Sequence, residues 1–186
     1  MEKLKKILDK RKETYVEKTP KDVYREVAGK SDKLSTEDIA GIGGVESQHG
    51  KYNKPLKGGV AEGLFQFQPA TAEHLEPGSS KTLNDINTQS SLMSKYLEKN
   101  KQENPESAYA MHNLGPTRGS KFNNADDSEL VSNVIPSYVI RANPGLYKVK
   151  TVGEARELIR KKLKAGEKSA DLNPEFMDLF KENKNG

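Results

Sequence analysis

A chain of 186 residues is long enough for about one domain. Leu, Ile, Val and Phe are only about a fifth of it and the net charge is +4, so a modest core with solvated flanks is expected. The absence of cysteine excludes disulfide scaffolds, thiolate zinc sites, iron–sulfur clusters and cysteine nucleophiles. No apolar run is long enough for a membrane-spanning helix, and the opening MEKLKKILDKRKETYVEK lacks the apolar stretch and cleavage site of a secretory signal.

The first predicted element is a basic helix with Leu4, Ile7, Leu8 and Tyr15 near one stripe. Thr19 then caps a short helix, with Pro20 in its first turn and Asp22 as the capping-box acid. Val23, Tyr24 and Val27 form its apolar face and Gly29 stops it. Ser35 caps a helix through STEDIAGIGGVESQHG. GLFQFQ, residues 63–68, alternates with period two and predicts a short strand. Pro69 opens a helix through PATAEHLE, and residues 84–99 form another with Ile86, Ser90, Met93 and Leu97 facing in. Pro105 starts a helix through PESAYAMHN, which Leu114-Gly115-Pro116 ends. Residues 128–135 are predicted helical, and Pro136 begins a helical stretch through PSYVIRA that Asn143-Pro144-Gly145 stops. Thr151 and Glu154 form a capping box for a helix with Ala155, Leu158, Ile159 and Leu163 on one face, ended by Gly166. Residues 166–172 read as a linker. Asn173-Pro174 opens a last short helix carrying Phe176, Leu179 and Phe180. The expected class is α+β, predominantly α-helical, with one small β element.

Charge divides the chain in three. Residues 1–34 carry net +4, residues 35–147 net −3 and residues 148–186 net +3, and the middle segment holds all three histidines. The expected organisation is a site-bearing domain over 35–147 between a basic helical N-terminal flank, 1–34, and a basic helical C-terminal flank, 148–186. The flanks read first as solvated helix surface, with a polyanion-binding patch as the alternative. They are expected to be dispensable for chemistry, unless Val23, Tyr24 or Leu158 complete the core.

One carboxylate falls on the wrong side of its helix. Ile39 and Ile42 define the buried stripe of the helix after Ser35, and Glu46 follows them by seven and four residues. At 100° per residue it lands within about 20° of Ile39. Burial disfavours the charged form of a carboxyl and raises its pKa, which is what a general acid near neutral pH needs. Gly41, Gly43 and Gly44 strip side chains from the same helix, so a backbone or a ligand can approach it closely. The alternative is that Glu46 sits at a frayed helix end and reaches solvent.

GVESQHG (44–50), AEGLFQFQPATA (61–72), AYAMHNLGP (108–116) and PSYV (136–139) stand in an order and spacing that resembles the lytic transglycosylase family. The resembling signature is Glu-Ser at a helix end, Gly-Leu-Met-Gln, a Pro-x-Thr-Ala helix start, Ala-x-Tyr-Asn-x-Gly and a Tyr-Val helix. Here these are Glu46-Ser47, Gly63-Leu64-Phe65-Gln66, Pro69-Ala70-Thr71-Ala72, Ala110-Met111-His112-Asn113-Leu114-Gly115 and Tyr138-Val139. Phe65 replaces the usual Met and His112 the usual Tyr; an imidazole can also donate a hydrogen bond. The Ser that commonly precedes the second motif is missing, with Gly58-Gly59 nearby.

The resemblance implies a goose-type lysozyme-like fold over about residues 35–147 and cleavage of the peptidoglycan glycan strand between N-acetylmuramic acid and N-acetylglucosamine. It implies Glu46 as the acid and then the base, Ser47 and Gln66 lining the cleft, and Asn113 on an N-acetyl group. Tyr138 would hydrogen-bond near Glu46, and His112 would stand in for the motif tyrosine. The implied product has 1,6-anhydromuramic ends. The alternatives are a hydrolytic muramidase, with Glu62 or Asp85 as a second carboxylate, and a non-catalytic glycan-binding or virion structural module.

The other constellations are sparse. Glu46 and His49 form a single Glu-x-x-His, whereas di-iron bundles need two copies and further Glu ligands, so no metal is expected. His74 is isolated, and no phosphate loop or Gly-x-Ser-x-Gly elbow is present. No cofactor and no nucleic-acid partner are expected. The expected partner is the glycan strand of the bacterial cell wall. The expected delivery is in a bacteriophage virion, by a secretion-type assembly or by release at lysis.

Overall fold

The structure, a computed structural model, describes residues 18–55, 59–142 and 144–167. The predicted helices over residues 4–15 and 173–180 lie outside the described residues. The described chain is predominantly helical: α1 Pro20–Ala28, α2 Thr36–Ser47, α3 Pro69–Leu75, α4 Ile86–Asn100, α5 Pro105–Leu114, α6 Pro116–Asn124, α7 Val131–Val134, α8 Ser137–Ala142 and α9 Val152–Glu167. Short 3-10 turns lie at Ser79–Lys81 and Pro144–Lys148.

Helix starts follow local chemistry. Thr19 and Asp22 form the capping box of α1, and Ser35 and Asp38 that of α2; in each, the hydroxyl accepts the third helical N–H while the carboxylate accepts the cap N–H. Asp85 and Asn104 cap α4 and α5, and Glu154 Oε2 accepts Lys150 N–H at 2.6 Å ahead of α9. Helix α6 is absent from the sequence-based expectation. Pro116 reads as the end of α5, yet its missing N–H suits the first turn of a new helix equally well. The apolar signal of α6 rests on the single large buried residue Phe122. The helix expected over 128–135 forms only across Val131–Val134.

The predicted strand at 63–68 is not a strand. Glu62 and Phe67 form an isolated antiparallel bridge, and the residues between them turn back on themselves. Gly63 has φ +83°, and a Cβ there would lie 2.3 Å from the Leu83 carbonyl oxygen. The apolar alternation is real, since Leu64, Phe65 and Phe67 are buried. A loop tucked into a core needs partners for its backbone, and here side chains supply them in place of a neighbouring strand.

Among the described residues two apolar clusters make up the core. The larger joins Val23, Ile39, Ile42, Phe65, Phe67, Leu92 and Met93; the smaller gathers Phe122, Val131, Val134, Ile135, Val152 and Ala155. Helix α9 runs through both, with Leu163 in the first, Val152 and Ala155 in the second and Ile159 against each. The described parts of both basic flanks pack with the middle segment, as in the alternative in which Val23 and Tyr24 complete the core: α9 is a principal packing partner of α2, and Val23, Tyr24 and Val27 of α1 belong to the larger cluster. Gly166 does not end α9. It lies inside the last turn, where a Cβ would meet the Gly41 carbonyl oxygen at 2.4 Å.

Arg156 ties α9 to the end of α6. Its Nη2 donates to the carbonyls of Phe122, Asn123 and Ala125 at 2.9, 3.0 and 2.9 Å, its guanidinium lies 5.5 Å from the Phe122 ring centroid, and Nη1 meets Asp127. The carbonyls at a helix end have no partners within the helix, so one planar cation satisfies several at once. Arg156→Ala is expected to lower stability by roughly 2–4 kcal/mol in urea unfolding, on the scale of hydrogen bonds to a charged donor. Arg156→Lys should recover less than half, because an ammonium cannot hold the fork. Loss of no more than a few tenths would show that water replaces the guanidinium freely.

Candidate active site around Glu46

Helix α2 ends immediately after Glu46-Ser47. Gln48, His49 and Gly50 have φ of +50°, +57° and +86°, and the Gln48 N–H closes back onto the carbonyls of Gly43 and Gly44. Of the four non-glycine residues with positive φ among the described residues, Gln48, His49 and Gln66 flank this helix end or lie in the loop beneath it. Such conformations are costly and are retained where surrounding contacts enforce them, often at functional sites.

The contacts are specific. Ser47 is buried; its Oγ donates to the Leu64 carbonyl at 2.7 Å and accepts Gly50 N–H at 2.8 Å. Gln89 is buried as well, accepting Phe65 N–H at 2.8 Å and donating to the Leu83 carbonyl at 2.7 Å. His112 Nε2 donates to the Phe65 carbonyl at 2.6 Å, and its ring stands edge-on to Phe67 and Tyr96. Burial lowers the His112 pKa, against the opposing pull of the Phe65 carbonyl. The imidazole is therefore neutral at pH 7, with the proton on Nε2 and Nδ1 left as an acceptor. Gln66 Nε2 donates to the carbonyls of Gly63 at 2.9 Å and Tyr52 at 3.2 Å. The first three motifs thus meet at one loop, which Ser47, Gln89 and His112 hold from three helices. Gln89 is absent from the sequence-based site; a glutamine at an inward position of an amphipathic helix was the available signal.

Glu46 is half-buried as a residue, but its Oε1 is sealed from solvent and has no hydrogen-bond partner among the described residues. Burial raises its pKa to about 8, against the pull of the Lys162 ammonium from α9. Lys162 is lowered by its own burial, and the Glu46 charge acts in the opposite direction. The Tyr109 hydroxyl of α5 is held well above its ordinary value, by burial first and the Glu46 charge second. A carboxyl in this setting carries its proton at neutral pH.

The remaining expected residues lie elsewhere. Asn113 is exposed in the last turn of α5. Tyr138 is 50% exposed, beneath the Arg118 guanidinium, and does not hydrogen-bond to Glu46. The tyrosine on which the Glu46 charge acts is Tyr109 of α5. Neither it nor Lys162 could be read from motifs, because only helix packing brings α5 and α9 against α2. The two other carboxylates considered are engaged: Asp85 accepts the N–H groups of Asn87 and Thr88, and Glu62 accepts from the Asn84 amide. His49 Nδ1 pairs with the Tyr24 hydroxyl at 2.7 Å. Among the described residues no cluster of three or more His, Asp or Glu could hold a metal ion, and no helix is long and apolar enough to cross a membrane. In comparison with known proteins, no family model and no curated sequence matches the chain.

Proposed function

We propose that this chain cleaves the peptidoglycan glycan strand as a lytic transglycosylase, with Glu46 as its acid and then its base. The proposal includes a lysozyme-like arrangement of the helices around α2, on the residue pattern 44–50, 61–72, 108–116 and 136–139. The observation that carries it is the Glu46 carboxyl at a helix end, its Oε1 sealed and without a partner among the described residues, where burial pushes the pKa up to about 8.

In this reading protonated Glu46 gives its proton to the oxygen between muramic acid and glucosamine as that bond breaks. The resulting carboxylate then takes the proton from the muramic acid 6-hydroxyl, whose oxygen closes on C1. The sugar becomes a 1,6-anhydro end, Glu46 regains its proton and no water is consumed. Ser47, Gln89 and His112 position the loop below Glu46. Asn113 and Gln66 are the proposed sugar contacts. The engagement of Glu62 and Asp85 favours this single-carboxylate route over a muramidase with a paired carboxylate.

Digestion of purified sacculi by the full chain, followed by mass spectrometry of the soluble fragments, tests the assignment. Anhydro ends, lighter than reducing ends by one water, are the expected product. Reducing ends would place the protein among hydrolytic muramidases, and binding without release would make it a glycan-binding module.

A further inference from the structure

The turn that ends α2 directly after Glu46-Ser47 is held by a side chain that the proposed chemistry does not use. Gln48 and His49 both take left-handed backbone conformations, φ +50° and +57°, which are costly for residues with a Cβ and are kept by surrounding contacts. The His49 ring supplies such contacts. Its Nδ1 lies 2.7 Å from the Tyr24 hydroxyl of α1, the two rings stand edge-on with centroids 5.6 Å apart, and the Gly166 backbone of α9 accepts a hydrogen bond from the ring. The same glycine backbone lies against α2, since a Cβ on Gly44 would sit 1.9 Å from the Gly166 carbonyl oxygen. One imidazole therefore joins α1, the end of α2 and α9.

Only the neutral ring makes both bonds as they stand. The Gly166 carbonyl requires a ring N–H, which leaves Nδ1 as the acceptor of the Tyr24 O–H. A protonated ring carries hydrogen on both nitrogens, so the Tyr24 hydroxyl would face a donor and its own hydrogen would need a new acceptor. Among the described residues that hydroxyl has no other hydrogen-bond partner. The Tyr24 ring is also fixed in place: its hydroxyl oxygen lies 2.5 Å from where a Cβ on Gly43 would be, and the ring stands edge-on to Phe65.

The groups around the ring do not offset this. Burial holds the Tyr24 hydroxyl well above its ordinary value, so it stays neutral. Glu46 of α2 is protonated at neutral and acid pH. Lys51, two residues on, has its ammonium over the Tyr52 ring. Lys162 and Glu167 are the ionisable neighbours of Gly166 along α9, and no charged side chain among the described residues acts on the His49 ring. Burial lowers the His49 pKa, with the Gly166 backbone opposing.

We propose that the Tyr24–His49 pair is an acid-released clasp: the neutral imidazole fixes the turn behind Glu46-Ser47 against α1 and α9, and its protonation frees that turn. Histidine titrates at 6.5 in the unfolded chain and lower in the folded one, so the clasp is complete above pH 6.5 and is lost as pH falls through the lowered folded value. Its effect on catalysis rests on the reading of Glu46 as the acid; the clasp itself does not.

The test follows the His49 ring nitrogens by NMR through a pH titration of the full chain, without substrate. At pH 7 the ring should be neutral with its proton on Nε2, and its midpoint should lie below 6.5. Tyr24→Phe removes only the hydroxyl that donates to the neutral ring, so the midpoint should move upward by about half a unit to one unit. By linkage, the same variant should raise the unfolding constant in urea roughly 3- to 10-fold at pH 7, and by less than about twofold below about pH 5. The natural chain gives a readout that needs no variant. The Gln48 and His49 amides, bonded to the carbonyls of Gly44 and Gly43, should lose hydrogen-exchange protection below the His49 midpoint while the amides of α4 keep theirs. On sacculi, kcat should carry an acid limb at the His49 midpoint, and Tyr24→Phe should move that limb upward with it. A His49 midpoint that stays or falls in folded Tyr24→Phe, helix-end amides that remain protected in acid, or an acid limb indifferent to Tyr24→Phe would overturn the proposal. If the midpoint and the amides respond in a protein that releases no glycan, the clasp stands and the lytic reading falls.

Discussion

Glu46→Gln is expected to abolish glycan cleavage while leaving the fold and glycan binding in place. Glutamine keeps the shape of the side chain but has no proton to deliver, and general acid–base catalysis is worth roughly 100- to 10,000-fold. More than a tenth of natural turnover in this variant would remove Glu46 from the role of acid. The substitution also has a signature in stability. The Glu46 pKa rises from an ordinary 4.5 to about 8 on folding, so the folded state holds the proton more tightly than the unfolded one. The associated stabilisation is complete below about pH 4.5 and is lost progressively as pH rises to about 8. Glutamine does not titrate, so Glu46→Gln should gain stability relative to the natural chain across that window and hold the gain above it. Urea unfolding of both proteins at several pH values measures the difference. A constant difference from acid to alkaline pH would mean that Glu46 titrates alike in the folded and unfolded chain. Activity should fall on the alkaline side near pH 8, where the acid form is lost.

Gly44→Ala is the second large effect, and here two principles give opposite signs. In a helix interior, alanine is favoured over glycine by ~1 kcal/mol, so at an exposed site the change would stabilise. At Gly44 the new Cβ would sit 1.9 Å from the Gly166 carbonyl oxygen and 2.4 Å from its carbon. Both are backbone atoms that cannot rotate away, so α9 must shift as a whole. Over-packing of this kind costs roughly 3 kcal/mol and outweighs the propensity gain. Loss of stability by about that amount in urea unfolding, with weakened protection of α9 amides in hydrogen exchange, is the expected result. A gain of stability would mean that α9 does not lie on α2. For the same reason, a chain trimmed to residues 30–150 should fail to fold, because it removes Val23, Tyr24, Val27 and Leu163 from the larger cluster along with the Arg156 staple.

Much of the local structure was legible because its causes are local. Thr19 with Asp22, Ser35 with Asp38 and Thr151 with Glu154 announce helix starts by side-chain hydrogen bonds spanning three residues, and the structure forms each of them. The placement of Glu46 toward the apolar side of its helix followed from periodicity alone, and its sealed carboxyl oxygen agrees. Where the decisive partner lay far along the chain, the sequence was silent or misleading. Residues 63–68 have the alternation of a strand, but the chain turns back between Glu62 and Phe67, and Ser47, Gln89 and His112, from 17 to 47 residues away, hold the backbone of Leu64 and Phe65. Tyr138 carries a motif yet lies exposed beneath Arg118, while Tyr109 and Lys162 carry none and belong to helices that pack on α2. The basic character of residues 148–186 pointed to a solvated flank, because charge is read from one face of a helix and packing from the other. By itself the sequence determined the capped helix starts and the unusual carboxyl, but not the helix Pro116–Asn124. Only the tertiary structure decided that α2 and α9, more than a hundred residues apart in the chain, meet through bare glycine backbone, because that contact depends on how the chain folds back on itself.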